Sequence, residues 1–182
     1  VQVLQPKCLN VSPEAFVAGL TGATLRGVTA RGKWIVAETS QGYLLLNLGM
    51  GGEVLLVSPD GLPKRLRVRL DLADGATLAF SIWWVGYAHY VPAEQLAHHP
   101  VIARLGPNAL DIGADQLADS VAGRRQRVKA FLLDQSMIAG IGNFYVHDIL
   151  FRARLHPLRR LDTLASDHVV RLHRAIHEGL EP

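Results

Sequence analysis

The chain has 182 residues, 49% of them apolar and 19% charged, with a formal net charge of +3. That is the make-up of a folded globular protein with room for one or two cores, which excludes a disordered or low-complexity chain. The mild basicity is compatible with a nucleic-acid partner without proving one, and the single cysteine, Cys8, excludes an internal disulfide and a thiolate zinc cage.

In chain order, Val1 to Pro6 reads as a strand already under way, so the chain is expected to be a piece of a longer protein. Ser12-Pro13 supplies an N-cap and a first-turn proline for a helix over Glu14 to Leu20. Arg31 to Glu38 is a β-branched and aromatic run, and Gln41-Gly42 is turn material before the apolar run Tyr43 to Leu48. After Gly49-Met50-Gly51-Gly52 comes Glu53 to Ser58, then the turn Pro59-Asp60-Gly61. Arg65 to Leu72 alternates charged and apolar residues with a period of two, the pattern of a half-solvated antiparallel strand. Asp74-Gly75 predicts a hairpin into a strand over Ala76 to Val85. Short strands at this spacing predict a sandwich or barrel. From Ala93 the period changes. Ala93 to His98 reads as helical, Leu105-Gly106-Pro107 as a break, and Asp115 to Val121, Arg127 to Ile138, Asn143 to Arg154 and Ser166 to Leu180 as helices. The fold class is therefore α+β, an antiparallel β domain over residues 1–113 followed by an all-α domain over 114–182. The N-terminus shows no charged leader ahead of an apolar core, and no run of about 18 apolar residues occurs, so a cytoplasmic, reducing location is the default expectation.

Gly140-Ile141-Gly142-Asn143 stands between two apolar, helix-favouring runs. A glycine there can end one helix at positive φ, and asparagine is a good N-cap for the next. Free N–H groups at a helix N-terminus beside glycine also suit a phosphate, although an ordinary tight turn would look the same. The flanks are basic: Arg124-Arg125-Gln126-Arg127-Val128-Lys129 on one side, and Arg152, Arg154, Arg159 and Arg160 on the other. From Ala114 to Pro182 there are ten Lys and Arg against eight Asp and Glu, so this excess is local, as a phosphate backbone requires and as a solvated face would also show. His173 and His177 stand at i, i+4 with no third ligand in view, and are expected on a solvated helix face rather than on a metal.

The stretch LLDQSMIAGIGNFYVHDILFRARLHP, from Leu132 to Pro157, resembles the formamidopyrimidine-DNA glycosylase / endonuclease VIII family of helix–two-turn–helix DNA glycosylases. RGKWIVAE with LLLNLGMGGEVLLV, and RLGPNALD from Arg104 to Asp111, resemble the same family, so the likeness covers nearly the whole chain. It implies a monomeric, nucleoid-associated base-excision repair enzyme: a β-sandwich and a helix–two-turn–helix domain with double-stranded DNA in the cleft. The damaged base is flipped out, its glycosidic bond is cut and the strand is nicked by β-elimination. By that resemblance Asn143 holds a phosphate near the lesion, helped by Gly140 and Gly142, and Lys33 on the RGK strand is the proton donor of strand cleavage. Met50 fills the void left by the flipped base, and Arg124 and Lys129 contact DNA; Arg125, Lys64 and Arg65 are counted with the same DNA-contacting set. The family's nucleophile, an N-terminal proline followed by glutamate, has no match here and is expected before Val1 or lost. Its C-terminal zinc finger has no match either, so no cofactor is expected in this chain. Where the family has Asp-Pro-Arg-Arg-Phe-Gly, this chain has Ile82-Trp83-Trp84-Val85-Gly86-Tyr87. Those aromatics either stack on a base or belong to the sandwich core, the second being favoured, and Trp84 is counted with the DNA-contacting set. The rival to a glycosylase is a damaged-DNA-binding protein without the nucleophile. A helix–two-turn–helix module on structured RNA is a more distant one.

Overall fold

The computed structural model describes residues 1–58, 60–82 and 84–180. The chain divides into two compact units, Val1–Ala103 and Arg104–Pro182. The division falls ahead of the expected 113/114 boundary because Ala109 and Ile112 are buried in the core of the helical unit.

Among the described residues the first unit holds eight strands: β1 (Gln2–Val3), β2 (Leu25–Arg31), β3 (Trp34–Thr39), β4 (Gly42–Asn47), β5 (Glu53–Val57), β6 (Leu66–Asp71), β7 (Thr77–Ser81) and β8 (Tyr87–Val91). They form two four-stranded antiparallel sheets, ordered β1-β6-β7-β5 and β2-β3-β4-β8. Period-two alternation makes this possible. Ala37, Leu44, Leu46 and Ala88 from one sheet meet Val68 and Phe80 from the other, with Ile82 just past β7 and Cys8, Phe16 and Leu20 completing the core. Phe16 and Leu20 come from α1 (Pro13–Leu20), which opens as expected: Ser12 Oγ accepts from Ala15 N–H at 3.2 Å and proline sits in the first turn.

Two strands have no counterpart in the sequence reading. All of β2 except Arg31 is exposed, and the strand carries Gly27 and a register shift between Leu25 and Gly27, so it shows no apolar period. It is a strand because β3 pairs with it. β8 was hidden because Tyr87-Ala88-His89-Tyr90-Val91 follows the aromatic cluster without a turn signal. The strand expected up to Val85 ends at Ser81.

The second unit contains α2 (Ala114–Val121), α3 (Val128–Leu133), α4 (Asn143–Arg152) and α5 (Ser166–Leu180). Phe131, Leu132, Ile138, Ile141, Val146, Ile149, Leu172 and Ile176 are buried together there. The helix expected to run to Ile138 stops at Leu133. Asp134 Oδ1 accepts from the backbone N–H of Ser136 (3.0 Å) and from its hydroxyl (2.6 Å), a local bond set that competes with the helix. α4 likewise ends at Arg152, with Arg154 at a φ of 54°. Among the described residues no helix is long and apolar enough to cross a membrane.

Phe131 is fully buried and is one of the largest side chains in the core of the helical unit. Phe131→Ala is expected to cost about 3–5 kcal/mol, read as a drop in the urea midpoint at unchanged m-value.

Candidate nucleic-acid interface

In the β unit, Lys33 is not on a strand. Arg31 pairs with Trp34, so Gly32-Lys33 forms the two-residue turn of the β2–β3 hairpin, with Gly32 at a φ of 58°. The residue as a whole is exposed, yet protein atoms around its ammonium displace water and hold its pKa below the usual lysine value. Asn47, at the end of β4, ties this turn to the next loop. Its Nδ2 donates to Lys33 O (3.2 Å), and its Oδ1 accepts from Gly49 N–H (3.0 Å). Gly49 has a φ of 59°, and a Cβ there would stand 2.0 Å from Trp84 O, so no other residue fits. That close approach lets Met50 N–H donate to Trp84 O at 3.0 Å.

Met50 and Trp84 are thereby backbone-paired at one tip, 65% and 60% exposed. Trp84 is not sandwich core, contrary to the favoured expectation: the loop turns outward after Ile82, and Val85 beside it is exposed at a φ of 47°, a strained setting for a β-branched residue. Trp83 lies outside the described residues. Tyr87 is half in and half out, its ring 6.1 Å from the buried Trp34 and nearly parallel to it. Lys64 and Arg65 lie in the exposed turn leading into β6 rather than on a strand.

Behind the Lys33 turn, Trp34 packs on two histidines. His99 Nδ1 accepts from Ile102 N–H (3.3 Å), which leaves the proton on Nε2 to be donated to His89 Nδ1 at 2.9 Å. Both rings are neutral in this arrangement. Burial, and secondarily the neighbouring His99, push the His89 pKa down to about 4, and burial lowers that of His99.

In the helical unit, Gly140, Gly142 and Asn143 come together as expected, with one change of role. Gly142 is the N-cap of α4, and Asn143 is the first helical residue, so its exposed side chain is not the cap. Gly140 has a φ of 115°. The fold of this connection depends on Gln135, which the sequence reading passed over. Its Nε2 donates to Leu133 O (3.0 Å) and Ile141 O (2.9 Å), and its Oε1 accepts from Gly140 N–H (3.0 Å). Ala139 pairs with the 107–109 segment through Ala139 N to Pro107 O and Ala109 N to Ala139 O, both 2.8 Å. The only sequence clue was an amide side chain amid turn formers; Asn47, the one polar residue in LLLNL, was a clearer one.

The flanking cations divide. Arg124 folds back through Nε to Ser120 O (2.7 Å), Arg125 is exposed, and the Lys129 ammonium donates to His147 Nε2 on α4 (3.2 Å). Arg152 pairs with Asp148, Arg160 with Asp162, and Arg159 donates to His168 and Thr163. The second arginine cluster is thus largely structural. His173 and His177 are half-buried rather than on a solvated face: His173 Nε2 meets Ile112 O at 2.9 Å, and the two rings lie 4.7 Å apart.

Two outcomes follow from these bonds. Gln135→Ala removes three hydrogen bonds from the two-turn connection and should cost about 2–4 kcal/mol, with the Gly140 amide losing its protection from hydrogen exchange. The folded His89 pKa lies below its unfolded value, so the folded state binds fewer protons. Stability is full above pH 6.5 and falls as pH drops toward about 4, and the urea midpoint of His89→Phe should lose most of that slope.

Comparison with known proteins agrees with this layout. Residues 1–81 match the formamidopyrimidine-DNA glycosylase N-terminal domain and residues 105–182 the formamidopyrimidine-DNA glycosylase H2TH domain. A formamidopyrimidine-DNA glycosylase of Rhodopseudomonas palustris is 38% identical over 190 residues, covering 91% of this chain and 65% of its own length. One from Azorhizobium caulinodans is 39% identical over 171 residues, covering 85% of this chain and 58% of its own. The chain thus spans under two-thirds of the relatives it matches. Lactococcus lactis Fpg, solved in complex with abasic-site DNA, superposes with a TM-score of 0.88 over 97% of this chain and 67% of that one at 24% identity, a likeness of fold. With both domains matched in order, and the Lys33 turn, the Met50 loop and the Asn143 connection formed within them, the chain belongs to the formamidopyrimidine-DNA glycosylase family.

Proposed function

We propose that this chain is the duplex-gripping part of a base-excision DNA repair enzyme, which binds double-stranded DNA at a damaged base or an abasic site. In the full-length protein the base is excised and the strand is cleaved by β-elimination. The observation that carries the reading is Asn143: an exposed amide at the first position of α4, not used as a cap, beside helix N–H groups with no intrahelical partner. A side-chain amide and backbone N–H groups at the same helix start are donors suited to a phosphate oxygen. The Lactococcus lactis protein of the same fold is solved with abasic-site DNA, which supports the choice of ligand.

The other residues take roles consistent with their settings. Lys33 stands on a turn braced by Asn47 with a lowered pKa, which makes its ammonium a readier proton donor near neutral pH. Met50 and Trp84 form an exposed apolar pair that enters the stack where a nucleotide leaves it, Trp84 by stacking and Met50 as a wedge. Lys129, Arg124, Arg125, Lys64 and Arg65 supply backbone contacts, with Gly140 and Gly142 letting the phosphate approach.

Asn143→Ala should weaken binding to an abasic-site duplex by about 1.5–3 kcal/mol in fluorescence anisotropy, the loss of a hydrogen bond to a charged group. Unchanged affinity would remove the role given to that turn. Met50→Ala should reduce the preference for abasic over intact duplex more than it reduces affinity for intact duplex, and equal losses on both would count against a wedge. Borohydride trapping of the full-length protein on the abasic duplex tests the chemistry, since a covalent adduct requires an amine nucleophile.

A further inference from the structure

A pocket of about 300 Å³ opens in the β unit beside the Met50–Trp84 tip, lined by Gln5, Lys7, Arg67, Val85, Gly86 and Tyr87 among others. Its walls come from three places in the sequence, held together by backbone. Leu4 N–H and Gln5 N–H both donate to Arg67 O, at 2.8 and 3.2 Å, which docks the chain start on β6. Gln5 Oε1 accepts from Lys7 N–H at 3.3 Å and shapes the following turn. From the other side, the half-buried Arg67 donates through Nε to Ile82 O (2.8 Å), at the root of the loop that carries Trp84.

The pocket is cationic. Lys7 and Arg67 both line it, no carboxylate does, and among the described residues neither cation is in a salt bridge. Gln5 and Tyr87 also line it. The Arg67 side chain is immobilised by its bond to Ile82 O, so little entropy is lost when its terminal nitrogens meet an anion. Two cations without a counter-ion in a polar recess of this size suit a tetrahedral phosphate ester better than a planar base or an apolar group.

We propose that the Lys7–Arg67 pocket is a phosphodiester-binding site that takes a backbone phosphate of the duplex next to the step probed by Met50 and Trp84. This rests on the duplex-binding reading above. Because Arg67 also holds Ile82 O, a phosphate seated there is coupled to the loop that presents Trp84, and the pocket sets the register of that loop on DNA as well as adding affinity. The contact carries no base information, so it acts alike on intact and damaged duplex.

The test uses the 182-residue chain, wild type and Lys7→Met, with intact and abasic duplexes titrated by anisotropy from low to moderate salt. Lys7 is exposed, so its replacement leaves the core untouched. The slope of log K against log salt should shrink by about 0.9 on both duplexes, the loss of one phosphate contact. In parallel, inorganic phosphate should shift the amide resonances of Lys7, Cys8, Gly86 and Tyr87 saturably in wild type and not in Lys7→Met. An unchanged slope, with Asn143→Ala still weakening abasic-site binding, would overturn the pocket and leave the duplex reading standing. Phosphate shifts with an unchanged slope would mean a free-phosphate site and would also overturn it. If wild type binds neither duplex, both readings fall.

Discussion

The helical unit depends on one amide. The connection from α3 to α4 is buried at Ile138, Ala139 and Ile141 but has no regular hydrogen-bond ladder of its own. Buried backbone polar groups must find partners. Gln135 supplies three of them from one side chain, Asp134 accepts from Ser136, Met137 and Ile138, and the 106–109 segment pairs with Gln135 O and Ala139. With those satisfied, the chain can reverse twice in a few residues and start α4 with its first N–H groups facing outward. Asn143 is where it is because Gln135 closes the turns behind it.

The β unit solves a similar problem with close packing. Gly49 brings the Met50 loop against the Trp84 backbone, and Asn47 joins that loop to the Lys33 turn. A cation and two apolar probes, far apart in sequence, become one connected tip. Their exposure leaves apolar surface in water, the usual mark of residues kept for a partner. The neutral His89–His99 pair packs on Trp34 behind the Lys33 turn, so the stability of this region and its acid sensitivity share one cause.

Charge is distributed less simply than the composition suggests. Arginines that flank α4 in sequence are mostly spent: Arg152 on Asp148 within α4, and Arg159 and Arg160 on Asp162, Thr163 and His168, along the chain that leads into α5. Other cations stand elsewhere: Arg125 and Lys64 are exposed, and Lys7 and Arg67 line the pocket beside the Trp84 loop. A count of Lys and Arg along the chain cannot separate these groups, because pairing is decided by what the fold brings within reach.

The sequence by itself determined the features written in short-range chemistry. Ser12-Pro13 opens α1, the three- and four-residue spacing of Val169, Leu172 and Ile176 makes α5, alternation makes β6, and Asp74-Gly75 makes the β6–β7 hairpin. Long, specific motifs also carried the family and its α+β architecture. The tertiary structure alone decided β2, a strand only because β3 offers it hydrogen bonds, and the move of Lys33 from strand to turn, set by the Arg31–Trp34 register. It also decided that Trp84 faces solvent, because Gly49 and Ile82 hold its loop outward, and that Gln135 closes the two-turn connection. Each of these depends on a partner distant in sequence, and a local pattern has no access to that partner until the chain has folded.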